Sequence, residues 1–169
     1  MDKNNIGISV IFPTLDEEEN LNKIIPDFVE IFDELNIPDY ELIIVDDNSS
    51  DNTESIITKF SESNPKISLH VRENMQGSLP LSILKGIEIS KKDYIMWLDA
   101  DGSMTAIAAK NMIIQLMLDI DSVIVGSRFI EGGGYKGVKD ISSTSFLQAV
   151  NNVRNSNDSV FGMIFSIMF

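Results

Sequence analysis

The chain has 169 residues, the size of one domain, and its 43% hydrophobic and 23% charged residues are ordinary for a globular protein. A formal net charge of −13 argues against nucleic acid as a partner, because phosphate backbones are bound by basic surfaces. The absence of cysteine excludes disulfides, thiolate catalysis and cysteine-ligated metal centres, so any chemistry must use oxygen and nitrogen groups.

Five short apolar runs have the length of β-strands, and three of them are apolar without alternation. Unbroken apolar runs are typical of strands with both faces covered, as in a parallel sheet flanked by helices. In chain order the runs are residues 8–12 (ISVIF), 42–45 (LIIV), 67–71 (ISLHV), 94–98 (YIMWL) and 123–125 (VIV).

Segments with helical spacing of apolar residues lie between these runs. Asp16 and Glu19 are spaced like a capping box before the first segment, and Pro26 is expected to kink it or to mark a late start. The alternation of strands and helices predicts a doubly wound α/β sheet with its ligand crevice at the carboxyl ends of the strands. The predicted helices cover residues 21–35, 52–60, 81–90 and a segment from Asp101 to about residue 120.

The composition changes near the carboxyl end of the chain. Three glycines at 132–134 precede a polar stretch, and residues 160–169 are apolar. This pattern predicts a boundary near residue 135 and an incomplete region over 136–169. No segment has the length of a membrane span, and the amino terminus lacks the features of a signal peptide, so we expect a cytoplasmic protein.

Acidic motifs follow three of the predicted strands, at residues 13–17 (PTLDE), 46–51 (DDNSSD) and 99–103 (DADGS). Because carboxyl ends of parallel strands share one edge of the sheet, the motifs are expected to line one crevice. In an extended segment Asp99 and Asp101 would point the same way and offer two oxygen ligands to Mg²⁺ or Mn²⁺. The alternative is a solvated turn, which so short a pattern leaves open.

Other polar residues near the strands have structural alternatives. Asp46 and Asp47 are either ligand contacts or caps of the following helix, and Glu17 is either a ligand contact or a first-turn acid. Asp51 is interpreted as a cap. His70 lies inside a predicted strand, which favours a structural or solvent-facing role.

Two glycines and an arginine complete the set of candidates. Gly86 lies within a predicted helix and is expected to allow close packing, while Gly77 with Ser78 precedes that helix and is placed to approach a ligand. Arg128 follows the fifth predicted strand. Its guanidinium is interpreted either as a partner of a diphosphate or as an ordinary surface ion pair.

Four motifs in order, VIFPTLDEEENL, LIIVDDNSSDNT, YIMWLDADGS and VIVGSRFIEGGG, resemble the family 2 glycosyltransferases. The GSRF segment and its glycine-rich loop resemble, more narrowly, the polyprenyl-phosphate sugar synthases, which include dolichol-phosphate mannose synthase. The resemblance runs from Ile8 to about Gly134. It implies the GT-A fold, an open, mostly parallel, Rossmann-like sheet. Residues 1–135 would be a nucleotide-sugar-binding domain, and residues 136–169 would begin an acceptor or membrane-associated region.

The resemblance also implies roles for individual residues. Asp99 and Asp101 resemble the metal-binding pair, and Ser103 stands where a glutamine often completes the metal shell. Arg128 resembles the arginine that contacts the donor diphosphate, so Asp101 and Arg128 are the residues expected to act in catalysis. Leu15 replaces a common tyrosine, so base stacking there would be lost or supplied elsewhere. The residues that resemble donor contacts are Pro13, Glu17, Val45, Asp47, Asp99, Ala100 and Arg128.

The implied activity is transfer of a sugar from a nucleoside-diphosphate sugar to a polyprenyl phosphate or a glycan. A divalent cation would be needed, the configuration would invert, and the protein would contact the membrane peripherally. One alternative is a nucleotide-sugar-binding fragment without turnover. Another is a nucleotidyltransferase, although a glycine-rich, basic nucleotide loop near the amino end is missing.

Overall fold

The computed structural model describes residues 6–73 and 77–127. The chain divides into two compact units, Met1–Lys110 and Asn111–Phe169, and the predicted domain boundary near residue 135 lies outside the described residues. In chain order the elements are β1 (Ile8–Thr14), α1 (Glu18–Glu34), β2 (Tyr40–Asp46), α2 (Thr53–Ser63), β3 (Ile67–Val71), α3 (Leu79–Ile89), β4 (Tyr94–Trp97) and α4 (Ala106–Leu118).

The strands of the first unit form one parallel sheet with the order β3-β2-β1-β4. From β1 the chain runs outward to β2 and β3, and then returns through α3 to β4 on the opposite side of β1. The strand order therefore reverses between β1 and β4, which is the switch point where open α/β sheets bind their ligands. The predicted α/β class with an open, parallel sheet is confirmed.

Both faces of this sheet are covered by helices. On one face Phe12 of β1 meets Phe28 of α1 edge to face, with 5.2 Å between the ring centroids. On the other face Ile11, Ile43 and Val45 form a buried cluster under α3. Successive residues of β1 thus point into two different apolar layers, which explains why the sequence shows an unbroken apolar run instead of an alternating one.

The predicted capping box of the first helix is wrong. Helix α1 begins at Glu18, and its N-cap residue, Glu17, makes no side-chain capping bond. Asp16 has a left-handed backbone, with φ of 56°, and its carboxylate accepts hydrogen bonds from Ser50 of another loop. Pro26 lies inside α1 and does not mark its start.

The fifth predicted strand is not formed by the described residues. Residues 123–125 have no regular structure, and the side chain of Val123 is 76% exposed. A strand is held by ladder hydrogen bonds to a neighbouring strand, and the part of the chain that the structure describes supplies none for these residues. In the same part of the chain, we find no helix with the length and apolar character that crossing a membrane requires.

Gly86 allows α3 to lie close to β1, as its position in the sequence predicts. A Cβ atom added at Gly86 would lie 2.9 Å from Cδ1 of Ile11 and would overlap with its Cγ2, and Ile11 is fully buried. We expect Gly86→Ala to lower the free energy of unfolding by about 1–3 kcal/mol through overpacking. Alanine is otherwise favoured over glycine in helices by about 1 kcal/mol, so the sign of the change reports on packing.

Urea denaturation measures this change. The control is Leu84→Ala in the same helix, where the side chain is 59% exposed and a change within about 0.5 kcal/mol is expected. A Gly86→Ala variant that is as stable as the unmodified chain, or more stable, would contradict close packing at this position.

Candidate functional site

The ends of the strands share one edge of the sheet. Thr14 at the end of β1 pairs in register with Asp46 at the end of β2, and β4 ends with Trp97 opposite Ile11. The segments that follow these strands therefore leave the sheet in the same direction, although β4 ends three residues before the level at which β1 and β2 end. All three predicted acidic motifs begin at this edge.

The loop before α3 reaches the same edge. A Cβ atom added at Gly77 would lie 3.7 Å from Oδ2 of Asp47 and 3.7 Å from Cδ2 of Leu15. Leu15 is 51% exposed in the loop after β1. Gly77 thus lies where the loops after β1 and β2 meet.

The turn after β4 lies next to the first turn of α1. A Cβ atom added at Gly102 would lie 3.7 Å from Oδ1 of Asn20, and Asn20 donates a hydrogen bond of 2.6 Å to Oε2 of Glu17. Glu17 is half-buried, and its backbone N–H donates to the hydroxyl of Thr53 at 3.2 Å. The candidate acid Glu17 and the DADGS segment are therefore neighbours at the β1–β4 switch point.

The DADGS segment is a turn, so the predicted extended geometry is wrong. Gly102 has a φ of 72°, and Oδ1 of Asp101 accepts the N–H of Ser103 at 2.7 Å. A left-handed glycine and a carboxylate bonded to the backbone two residues on are typical of a tight turn. Asp101 is exposed, Asp99 is half-buried and Ala100 is buried.

The described residues contain no group of three or more histidine, aspartate or glutamate side chains that could hold a metal ion. Asp99 and Asp101 offer two carboxylates, and Ser103 offers a hydroxyl. Mg²⁺ in phosphate-binding sites is usually held by one or two carboxylates together with phosphate oxygens of the ligand. This set of donors fits a cation shared with a bound diphosphate, and it does not fit a cation site built from protein groups alone.

Asp47 is held in a buried network. Its Oδ1 forms a salt bridge with the guanidinium of Arg72, and both side chains are 7% exposed. The same oxygen accepts the hydroxyl of Ser82 at 2.5 Å, and Oδ2 accepts the backbone N–H of Ser78 at 2.6 Å. The network joins the ends of β2 and β3 to the start of α3.

Arg72 is a site residue that motif reading missed. It is the only arginine before Arg128, and it directly follows β3 as the acidic motifs follow their strands. This position, directly after a predicted strand, is the sequence signal that could have identified Arg72 as a site residue. Its partner is 25 residues away along the chain, so no local pattern shows the pairing.

The neighbouring Asp46 has the structural role that was the alternative to ligand contact. Its Oδ2 accepts the N–H of Ser49 at 3.0 Å, and its Oδ1 accepts the hydroxyl of the same residue. Asn48 between them has a φ of 65°. Asp46 therefore closes the turn after β2.

Asp51 accepts backbone N–H groups at the start of two helices, which fits its interpretation as a cap, although the N-cap position of α2 is Asn52. Oδ1 of Asp51 accepts the N–H of Thr53 at 2.9 Å at the start of α2, and its Oδ2 accepts the N–H of Glu18 at 3.0 Å at the start of α1. Burial would raise the pKa of Asp51, but the hydrogen bonds from Thr53 and Glu18 outweigh it and hold the pKa below 3.8.

The remaining predicted residues lie in the core or outside the described chain. Pro13 and Val45 pair in register within the sheet, and Val45 is fully buried. A contact from Val45 to a nucleoside would have to use its backbone. Arg128 lies outside the described residues, so its pairing with a diphosphate stays a prediction.

His70 lies within β3 and is half-buried, but it is only one residue from the carboxyl end of the strand, closer than the sequence predicts. Burial lowers its pKa from 6.5, the positive charges of Lys85 and Lys91 lower it further, and Glu41 opposes them. The unfolded chain therefore binds the proton more readily than the folded protein. The contribution of His70 to stability is complete above pH 6.5 and is lost as the pH falls through the lower folded pKa.

We expect the unmodified chain to lose more stability than His70→Gln between about pH 7 and pH 5. Urea denaturation at a series of pH values measures both proteins. Comparing them removes the contribution of carboxylates that titrate in the lower part of this range. Equal pH dependence of the two proteins would contradict the lowered pKa.

Taken together, the fold and this edge define an α/β protein with an open parallel sheet and an acid-bearing turn at its switch point. The chain belongs to glycosyl transferase family 2, whose model matches residues 9–168.

Two curated relatives transfer sugars to dolichyl phosphate according to their names. The chain is 29% identical over 133 residues to the dolichyl-phosphate beta-glucosyltransferase of Dictyostelium discoideum, a match that covers 73% of this chain and 40% of the relative. It is also 29% identical over 127 residues to the dolichol-phosphate mannosyltransferase of Pyrococcus furiosus, covering 75% of this chain and 34% of the relative. The chain thus spans well under half the length of these relatives.

Among solved structures, the chain is similar to a mannosyltransferase from Pyrobaculum calidifontis in complex with GDP-Man and Mn2+. The TM-score is 0.54 at 19% identity, and the match covers 66% of this chain and 32% of that chain. This likeness confirms the predicted GT-A fold.

Proposed function

We propose that this chain binds a nucleoside-diphosphate sugar and forms the donor-binding part of a family 2 glycosyltransferase. The acceptor would be a polyprenyl phosphate or a glycan, and the configuration at the sugar would invert. The observation that carries the proposal is the position of the DADGS turn. It lies beside the first turn of α1 at the reversal of strand order, where open α/β sheets bind ligands.

A donor diphosphate needs positive charge that the chain as a whole does not supply, since its net charge is −13. Asp99 and Asp101, with the hydroxyl of Ser103, are the residues that would hold a divalent cation for this purpose. When bound, the cation would neutralise the negative charge on the departing nucleoside diphosphate. Arg128 would add a guanidinium to the same diphosphate.

The nucleoside would lie between the loops after β1 and β2. Asp47 is fixed there by Arg72 and the start of α3, so its carboxylate has a defined direction. Leu15 beside Gly77 is exposed and offers an apolar contact to a base in place of aromatic stacking. Glu17 completes this wall from the first turn of α1.

The acceptor decides whether the protein must supply a base. A lipid phosphate is already ionised near neutral pH, so its oxygen can attack the anomeric carbon without a base from the protein. A hydroxyl acceptor has to lose a proton during attack and would need one. The names of the two dolichyl-phosphate relatives favour the lipid phosphate.

Calorimetric titration of the full chain tests the proposal. UDP and GDP are titrated in the presence of Mn²⁺, and again with the cation removed by a chelator. We expect one of the two nucleotides to bind, and binding to require the cation. If neither binds in the presence of Mn²⁺, the proposed function is wrong.

A second candidate is donor binding without turnover. Incubation with GDP-mannose or a UDP-sugar distinguishes the two candidates. Release of the nucleoside diphosphate by hydrolysis or transfer supports the enzyme, and binding without any release supports the binding protein.

A further inference from the structure

Two loops of the candidate site are joined by reciprocal hydrogen bonds, and we call this arrangement the loop clasp. It consists of residues 16–18, between β1 and α1, and residues 49–53, between β2 and α2. Each backbone N–H of residues 16–18 donates to a side chain of the opposite loop. In chain order the acceptors are the hydroxyl of Ser49 at 2.8 Å, the hydroxyl of Thr53 at 3.2 Å and Oδ2 of Asp51 at 3.0 Å.

The clasp also has bonds in the reverse direction. Oδ1 of Asp16 accepts the N–H of Ser50 at 2.6 Å and its hydroxyl at 3.1 Å. Oε2 of Glu18 accepts the N–H of Asn52 at 3.2 Å and its side-chain amide at 2.9 Å. The start of α1 is thus capped from a different loop, and each loop holds the backbone of the other.

One residue inside the clasp and one directly before it have a left-handed backbone. Asp16 has a φ of 56° and Asn48, directly before residues 49–53, has a φ of 65°. Among residues with a side chain, aspartate and asparagine adopt this left-handed region most readily. The carboxylate of Asp16 is bonded across the clasp, and the residue after Asn48 is bonded to Asp46. The two left-handed residues and the bonds that fix them both lie shortly after the strand ends.

The clasped loops carry the two acids assigned to the nucleoside. Glu17 is inside the clasp, and the N–H of Asp47 donates to the carbonyl of Thr14 at 2.9 Å. A change in the path of either loop would move these carboxylates relative to each other. Displacements of about 1 Å can reduce the efficiency of a site by about 100-fold.

We propose that Asp16 is a positioning residue that keeps the loops after β1 and β2 at the distance required to bind the donor nucleoside. This inference rests on the proposed function. Asp16 itself is exposed and acts through Ser50, and it does not need to touch the donor.

Two substitutions separate the bonds of Asp16 from its backbone. Asp16→Gly removes the acceptor and adopts a φ of 56° without strain. Asp16→Asn keeps an oxygen acceptor and tolerates the left-handed backbone. A matched control is Asn36→Gly, because Asn36 has a φ of 54° and lies after the end of α1, away from the clasp.

Titration of UDP and GDP in the presence of Mn²⁺ is carried out on all four proteins, with circular dichroism to show that each is folded. We expect Asp16→Gly to bind the nucleotide about tenfold more weakly, a change of about 1.4 kcal/mol, with Asp16→Asn and Asn36→Gly close to the unmodified chain. Rescue by asparagine separates positioning from mere stabilisation.

The outcomes distinguish this inference from the proposed function. If the unmodified chain binds and Asp16→Gly binds equally well, the positioning role is wrong and the proposed function stands. If Asn36→Gly weakens binding as much as Asp16→Gly does, the effect is general and the positioning role is also wrong. If the unmodified chain binds neither nucleotide, the proposed function itself fails.

Discussion

Replacing Asp101 by alanine is expected to weaken cation-dependent nucleotide binding at least about 100-fold, while leaving the fold intact. Even groups that only support metal ligands contribute about 10- to 100-fold to metal affinity, and Asp101 is proposed as a direct ligand. In the structure its carboxylate is exposed and accepts a single backbone N–H, that of Ser103. Loss of one exposed hydrogen bond changes the free energy of unfolding by about 1 kcal/mol.

Asp101→Asn sharpens this test. The amide keeps an oxygen that can accept the N–H of Ser103, so the turn is retained while the negative charge is lost. Binding of UDP or GDP should fall for both variants, by calorimetry with Mn²⁺. Asp27→Asn on the exposed side of α1 changes the net charge equally and should bind as the unmodified chain does. Unchanged nucleotide affinity in Asp101→Ala would exclude this residue from a cation site.

Replacing Arg72 by methionine is expected to lower the free energy of unfolding by about 3–5 kcal/mol. The salt bridge to Asp47 is almost completely buried, with both side chains 7% exposed. Removing the guanidinium leaves a largely buried carboxylate without its opposite charge. The N–H of Ser78 and the hydroxyl of Ser82 remain as donors, which favours the lower end of this range.

A second substitution tests the cause of that loss. Combining Arg72→Met with Asp47→Leu removes both charges, and buried pairs replaced in this way often lose little stability. We expect the double variant to regain much of the loss but not all, because Asp47 also accepts the N–H of Ser78 and the hydroxyl of Ser82 at the start of α3. A double variant less stable than Arg72→Met alone would contradict an unpaired buried charge as the cause.

The matched control for this measurement is an exposed ion pair. Lys85 and Glu88 lie on α3 with side chains that are 41% and 70% exposed, at a nitrogen–oxygen distance of 3.1 Å. Exposed pairs contribute about 0–1 kcal/mol, so Lys85→Met should change the free energy of unfolding very little. A loss below 1 kcal/mol for Arg72→Met, equal to this control, would show that the buried pair is not needed for stability.

Much of the fold could be predicted from local patterns. The runs at 8–12, 42–45, 67–71 and 94–98 became strands because apolar residues on both sides of a strand require helices on both faces of a sheet. The positions of Asp47 and Asp101 after their strands were also predictable, because the order of residues along the chain is enough to place them at the strand ends. The prediction of a strand at 123–125 was wrong, because an apolar pattern of three residues does not indicate which strand it would pair with.

The sequence by itself determined the order of strands and helices, the family, and the acidic motifs at the strand ends, because these follow from periodicity and motif order over neighbouring residues. Only the tertiary structure decided the partners of those acids. Asp47 pairs with Arg72 25 residues away, and the bonds of the clasp join residues 33–36 apart. Such partners are selected when the sheet brings separate strand ends together, and no pattern within one loop contains that information.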